Sequence, residues 1–440
     1  MLIPGPFVIL SALVVFPAAL SLLESFDLLF YLSTGRWILE HGFPTTDPFS
    51  LTAFQPWPPL EWAYCILVAK IEHWMGGMGP AWLSAVILGL ELFIVARLLR
   101  QAAGFRMGQA LIALILGAQS YAWTAERAYH LGHLAFVVAL LLSQRIRQGA
   151  RWPIWAFVPL VAVWANFHGS WIAGPALLGS TVLGLAMEQG RLDKRLAMGM
   201  GAAFLAFLAA ALSPEGFKTC LYPLGFLHSH NNYSLAEWHA LSLGNTCGKA
   251  VALLSLISFF VVARSRRPLY SILLPAGGLL VVTVAVERFA PLVAVMLGLV
   301  CLEHLTDVRL PKDTTHLQRA FGRVGTAIRV WARGSGGWTW LGIFLLVMGF
   351  NAVRQPSGLL QRLDPHNFPV PALEALLRLP PGKVLNTYRF GGAVSALAGP
   401  EYKVFIDGRM DPFSMKIHDD YRKLALLEAG WQAVLEEYQP

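Results

Sequence analysis

Charge is scarce in this chain. Asp, Glu, Lys and Arg make up 14% of its 440 residues, where a soluble domain carries about 25%. With 56% hydrophobic residues and a mean hydropathy of +0.54, an ordinary soluble protein is excluded. Cysteine is scarce too. Cys65, Cys220, Cys247 and Cys301 show neither CxxC nor metal-ligand spacing. They read as buried thiols or, for Cys220 and Cys247 in one outer segment, as a disulfide. HExxH and GxGxxG are absent, so the metalloprotease and dinucleotide signals fail. The N-terminal run Leu2–Leu23 lacks a basic n-region and a clear small-residue cleavage site. It reads as a retained first span and not as a signal peptide.

What the chain has in quantity is apolar runs of 17–22 residues. They predict a polytopic α-helical membrane protein. Eleven spans are expected, near 3–23, 80–99, 107–124, 130–146, 152–168, 170–187, 196–213, 248–264, 268–286, 288–304 and 338–354. The segment 60–77 is interrupted by Lys70, Glu72 and His73, and is expected to lie in the interface as an amphipathic helix. With the N-terminus inside, cytoplasmic loops hold 18 of the 34 Lys and Arg, and outward loops before residue 350 hold six. That asymmetry is the positive-inside rule. The net charge of +8 is then topological, and nucleic acid loses its support as a partner. Residues 1–354 form the expected membrane domain, with interfacial helices between 24 and 77, and 355–440 an extracytoplasmic α/β tail.

The unusual polar residues collect on the outer side. Asp27, Asp47 and Glu61 lie in the first outer loop, and Glu126, Arg127, His130 and His133 at the next outer turn. Asn166 and His168 end the fifth span; His228, His230, Glu237 and His239 occupy the loop 214–247; Glu287 and Arg288 turn between spans nine and ten. Singly, each reads as a helix cap, a snorkelling anchor or a solvated loop residue. Together, acids and cations converging at the membrane rim indicate a functional site. A carboxylate accepts a proton from an incoming hydroxyl, while Arg and His hold and neutralise a leaving phosphate. The histidines match no strong metal pattern, so no cofactor is expected and a divalent metal is not indicated. Glu91, in mid-span, reads as a helix-packing residue or a relay.

The order of "TGRWILEHG", "TDPFS", "EW" and "WANFHG", with a tail reading "FIDGR", resembles the GT-C superfamily of integral-membrane glycosyltransferases. The closest likeness is to uncharacterised bacterial GT-C-like proteins. Two turns depart from that pattern, "SPEG" at 213–216 and "RAYH" at 127–130. The resemblance implies an acid after the first span as base or orienter, a role that falls on Asp27. From their placement on the outer side, Arg127, His168, Arg288, Glu237, Asp47, Glu61 and Asn166 are the expected contacts to the donor phosphate or substrate. A polyprenyl-phosphate sugar is the implied donor, with inversion at the anomeric carbon, in a bacterial cytoplasmic (inner) membrane. No Asp-x-Asp occurs in the first loop, so the metal-dependent oligosaccharyltransferase pattern is unmatched. A non-catalytic scaffold subunit of a larger membrane assembly is the second reading. A transporter is the third, and no clear internal repeat supports it.

The tail segment "GKVLNTYRFGGAVSALAGPEYKVFIDGRMDPF" reads strand, glycine-rich turn, helix, strand. Asp407, Arg409 and Asp411 follow the second strand as a ligand site or as a turn with an internal ion pair. A third strand is expected to follow, so the tail is truncated or completed by a neighbour.

Overall fold

The structure is a computed structural model and describes residues 22–53, 57, 59–103, 127–227, 239–305, 358–409 and 412–440. Helices α1 (Phe26–His41) and α2 (Trp62–Met75) form the first outer segment. The bundle follows as α3 (Gly79–Ala103), α4 (Tyr129–Arg147), α5 (Trp152–Phe167), α6 (Ala173–Gln189), α7 (Lys194–Ala209), α8 (Phe217–Leu227), α9 (Thr246–Arg264), α10 (Tyr270–Ala285) and α11 (Ala290–Leu305). The tail adds α12 (Leu359–Arg362), α13 (Val370–Leu376), β1 (Lys383–Val384), α14 (Gly391–Ala398), β2 (Lys403–Val404), α15 (Met415–Leu426) and α16 (Trp431–Tyr438).

The expected spans at 80–99, 130–146, 152–168, 170–187, 196–213, 248–264, 268–286 and 288–304 each coincide with a helix. The spans expected at 107–124 and 338–354, and nearly all of 3–23, lie outside the described residues. Three described helical stretches are long and apolar enough to cross a membrane: Trp62–Val95, Gly169–Gln189 and Thr246–Arg264. The first of these is broken by a 3-10 turn at Gly76–Met78, between the expected interfacial segment and the span after it. Apolar side chains such as Phe204, Phe259 and Val281 face outward, as helices immersed in hydrocarbon require.

Two cores result. The larger joins α3 to α11 through residues such as Phe157, Trp164, Val182, Leu254 and Val293. The smaller joins the first outer segment to the tail. Leu28, Leu29 and Leu32 of α1 and Tyr64 and Val68 of α2 pack with Phe368, Leu373, Ala393 and Val394. Helix α1 forms because Ser25 caps it, its Oγ accepting from the Leu28 amide at 3.4 Å. Positions 28, 29, 32, 35 and 38 are buried along one face, and Tyr31, Ser33 and Thr34 are buried beside it. Gly42 ends it at φ 81°, its amide returning to the Ile38 carbonyl.

The tail is the expected βαβ unit. Strands β1 and β2 pair in parallel, Lys383 with Lys403 and Val384 with Val404, and α14 connects them. The other edge of β2 is taken by the first outer loop. Val404 donates to the Phe49 carbonyl at 3.0 Å, and Leu51 donates to the Val404 carbonyl at 2.9 Å. A second seam pairs Leu23 in parallel with Leu363. The third strand that the tail needs therefore comes from near the other end of the chain. All four cysteines are free and buried, so the Cys220–Cys247 disulfide is not formed. The Cys220 thiol instead donates to the Phe207 carbonyl at 3.5 Å.

Candidate active site

Capping by Ser25 puts Asp27 in the first turn of α1. Arg127, just before α4, brings its Nε to 3.0 Å from Asp27 Oδ2, with both side chains 26% exposed. The pair is therefore reachable from solvent. Tyr31 lies one turn further along α1 on the same face and is 6% exposed. Its hydroxyl donates to Glu61. Burial, and then the charges of Glu61 and Asp27, push that hydroxyl well above the ordinary tyrosine range.

Glu61 caps the N-terminus of α2. Its Oε1 stands 3.5 Å from His168 Nε2, at the C-terminus of α5. Arg288, in a 3-10 turn at Glu287–Phe289, brings its charge to bear on both His168 and His133. His130 and His133 pack against the Tyr129 ring at centroid distances of 4.6 and 4.9 Å. Contacts thus join Tyr31–Glu61–His168 and Asp27–Arg127, with the charge of Asp27 acting on Tyr31 and that of Arg288 on His168. Five sequence segments that are far apart in the chain supply these groups.

The other expected site residues are placed elsewhere. Asn166 joins helices: its Oδ1 accepts from Trp62 Nε1 at 2.8 Å, and its Nδ2 donates to the carbonyls of Ala162 and Leu212. Asp47 is fully buried against Arg409, at 2.8 and 3.0 Å, and also accepts the amides of Phe49 and Ser50. Asp407 holds the same guanidinium. Of the two readings of the Asp407 turn, the ion pair is the one present, with Asp47 as an added member. Burial raises the Asp407 carboxyl, against the pull of Arg409. Glu237 and Asp411 lie outside the described residues. Among the described residues, no group of three or more His, Cys, Asp or Glu is arranged to hold a metal ion.

The tail forms one wall of the acid end. A Cβ placed on Gly408 would come 3.3 Å from Asp27 Oδ1. The Gly408 carbonyl is fixed by the Tyr388 hydroxyl at 3.0 Å. Reasoning from sequence missed Tyr31 and Gly408. Tyr31 had a signal, its i+4 spacing from Asp27 on an amphipathic helix. Gly408 had none, since its neighbour is far away in the chain.

Comparison by sequence finds no matching family model and no matching curated protein. Solved structures do match. The Archaeoglobus fulgidus oligosaccharyltransferase tethered with an acceptor peptide containing the NVT sequon has a TM-score of 0.58 and 12% identity. That alignment covers 98% of this chain and 68% of the other. The apo form of that enzyme gives 0.51 and 13%, over 91% and 64% of the two chains. The archaeal oligosaccharyltransferase AglB from Archaeoglobus fulgidus, in complex with an inhibitory peptide and a dolichol-phosphate, gives 0.56 and 12%, over 98% and 68%. At such identities the likeness is one of fold. The chain has a GT-C-like fold.

Proposed function

We propose that the chain is a glycosyltransferase that moves a sugar from a polyprenyl-phosphate donor to an acceptor on the extracytoplasmic face of a bacterial cytoplasmic membrane. The observation that carries this reading is the Asp27–Arg127 pair at 3.0 Å, continued through Glu61 and His168 to Arg288, within a GT-C-like fold. The acceptor hydroxyl oxygen attacks the anomeric carbon and its proton passes to Asp27. The bond from that carbon to the phosphate oxygen breaks, and the polyprenyl phosphate leaves with the electron pair. Arg288 and Arg127 neutralise it. Attack opposite the leaving group inverts the anomeric centre. Glu61 and His168 stand between base and cation, while Asp47 and Asn166, engaged by Arg409 and by Trp62, are left out of the proposed contacts. A dolichol-phosphate in the complex of one structural neighbour supports a lipid phosphate as ligand.

The test offers purified protein a panel of lipid-linked sugars with candidate acceptors. Transfer that Asp27→Asn abolishes supports the reading; transfer unchanged in Asp27→Asn removes Asp27 as the base.

A scaffold subunit is the second reading, favoured by the tail packed beside Asp27 at Gly408. Absence of transfer across the panel, with partner membrane subunits co-purifying, supports that reading instead.

A further inference from the structure

His168 follows the last residue of α5, where the backbone becomes extended (φ −161°, ψ 142°). Its ring caps the 3-10 turn Gly169–Ile172. Nδ1 accepts the Ser170 amide N–H at 3.1 Å. An amide nitrogen can only donate, so Nδ1 presents a lone pair and the neutral ring carries its hydrogen on Nε2. Ser170 Oγ stands 2.7 Å from the same Nδ1. With no hydrogen on Nδ1, the hydroxyl is the donor. Trp164 Nε1–H in turn donates to Ser170 Oγ at 3.1 Å. An indole N–H also can only donate. It occupies a lone pair of the hydroxyl and leaves the hydroxyl hydrogen for Nδ1. Both ends of the chain Trp164–Ser170–His168 are thus set by groups that cannot reverse direction. The product is an Nε2–H 3.5 Å from Glu61 Oε1.

The surroundings are built for this chain. Trp164 is 2% exposed and His168 8%. Gly132 of α4 leaves the space: a Cβ there would come 2.6 Å from Ser170 Oγ and 2.7 Å from His168 Nδ1. The charged and titratable groups around the ring are Glu61 from α2, His130 and His133 from α4, and Arg288 from the turn before α11.

We infer that Trp164 and Ser170 are positioning residues that lock His168 in its Nε2–H tautomer, which makes His168 a fixed hydrogen-bond donor to the Glu61 carboxylate or to a ligand oxyanion. A ring locked this way accepts no proton at Nε2, so the base in the site is a carboxylate. That extension to a base rests on the transferase reading; the tautomer does not.

The experiment is nitrogen NMR of protein labelled with ring-15N histidine in lipid bilayers, with His168→Gln identifying the His168 signals. The expected result is a protonated Nε2 and a bare, hydrogen-bonded Nδ1. In Ser170→Ala the Nδ1 signal moves toward that of an unbonded nitrogen, and in Trp164→Phe it moves the same way by less. A proton on Nδ1 in the parent overturns the inference, as does an Nδ1 signal unchanged in Ser170→Ala. The parent spectrum alone decides the tautomer if either variant misfolds. A locked tautomer in a protein that transfers no sugar leaves the relay standing and defeats the transferase reading. Transfer by a protein with a proton on Nδ1 does the reverse.

Discussion

The guanidinium of Arg409 forks onto Asp47, a residue 362 positions earlier, at 2.8 and 3.0 Å. Trp57 lies against its face at 4.5 Å. Two buried carboxylates share this one cation, so its removal is the harsher cut. Arg409→Met leaves both acids without it and is expected to cost about 3–5 kcal/mol. Asp47→Asn keeps the Arg409–Asp407 pair and costs less. Thermal unfolding, with limited proteolysis of residues 358–440, measures both. Equal stability of Arg409→Met and parent would show that the triad does not hold the tail.

Asp27→Asn keeps the shape and removes the proton acceptor. Turnover should fall by about 10²–10⁴-fold with donor binding retained. Arg288→Ala should weaken donor binding first, because the phosphate loses a charged contact. Turnover and lipid-binding assays on folded protein in detergent separate the two. A normal rate in Asp27→Asn would contradict the assignment.

Gly408→Ala brings a methyl group to 3.3 Å from Asp27 Oδ1. The acid must give by a few tenths of an ångström. A 1 Å misplacement costs about 10²-fold, so the expected loss in kcat is roughly tenfold or less. The melting temperature should barely move. An unaltered kcat would show that the tail wall does not position Asp27.

Asp420 anchors a network within the tail, bound by Lys416 at 2.9 Å, Lys423 at 3.1 Å and the Tyr438 hydroxyl at 3.1 Å. Burial raises its carboxyl, and these three donors outweigh burial, leaving it below the usual carboxylate range. The folded tail therefore holds this proton less tightly than the unfolded chain. Its stabilisation is present above the unfolded value of about 3.9 and is lost as pH falls through the lower folded value. Hydrogen exchange of α15 and α16 should accelerate on acidification below about pH 4 in the parent. The acid-dependent increment should be smaller in Asp420→Asn.

The interfacial placement expected of residues 60–77 predicts the C-terminal end of α3 on the cytoplasmic side. Ala103→Cys should resist an impermeant thiol reagent added from outside and react after permeabilisation. Reaction from outside would reverse every later loop.

Much of this fold was legible because hydrocarbon burial and strand alternation leave local patterns. Eight of the described helices follow from apolar runs, and the βαβ unit follows from "GKVLNTYRFGGAVSALAGPEYKVF". Asp27, Arg127, Glu61, His168 and Arg288 could each be placed at outer ends. What joined them was not legible, since side-chain pairing across helices has no sequence period. Asp47 illustrates the limit. In "TDPFS" it has the look of a loop acid open to a ligand, and its partner Arg409 is encoded near the other terminus. Ser170 was hidden differently, as a small residue two positions past a histidine, with its donor Trp164 inside an apolar helix.

The pairing of Phe49–Leu51 with β2 has a consequence for biogenesis. The chain emerges from the ribosome in order, and residues 49–51 are made long before their partner strand exists. The gap between Leu51 and Val404 takes about 20–70 s to synthesise at ~5–20 residues/s. During that interval the loop's backbone edge is unpaired and Asp47 lacks its cation. Residues 49–51 must therefore wait until Val404 has been made. A chain truncated before residue 404 would then leave Asp47 without its cation and the edge at residues 49–51 without its strand.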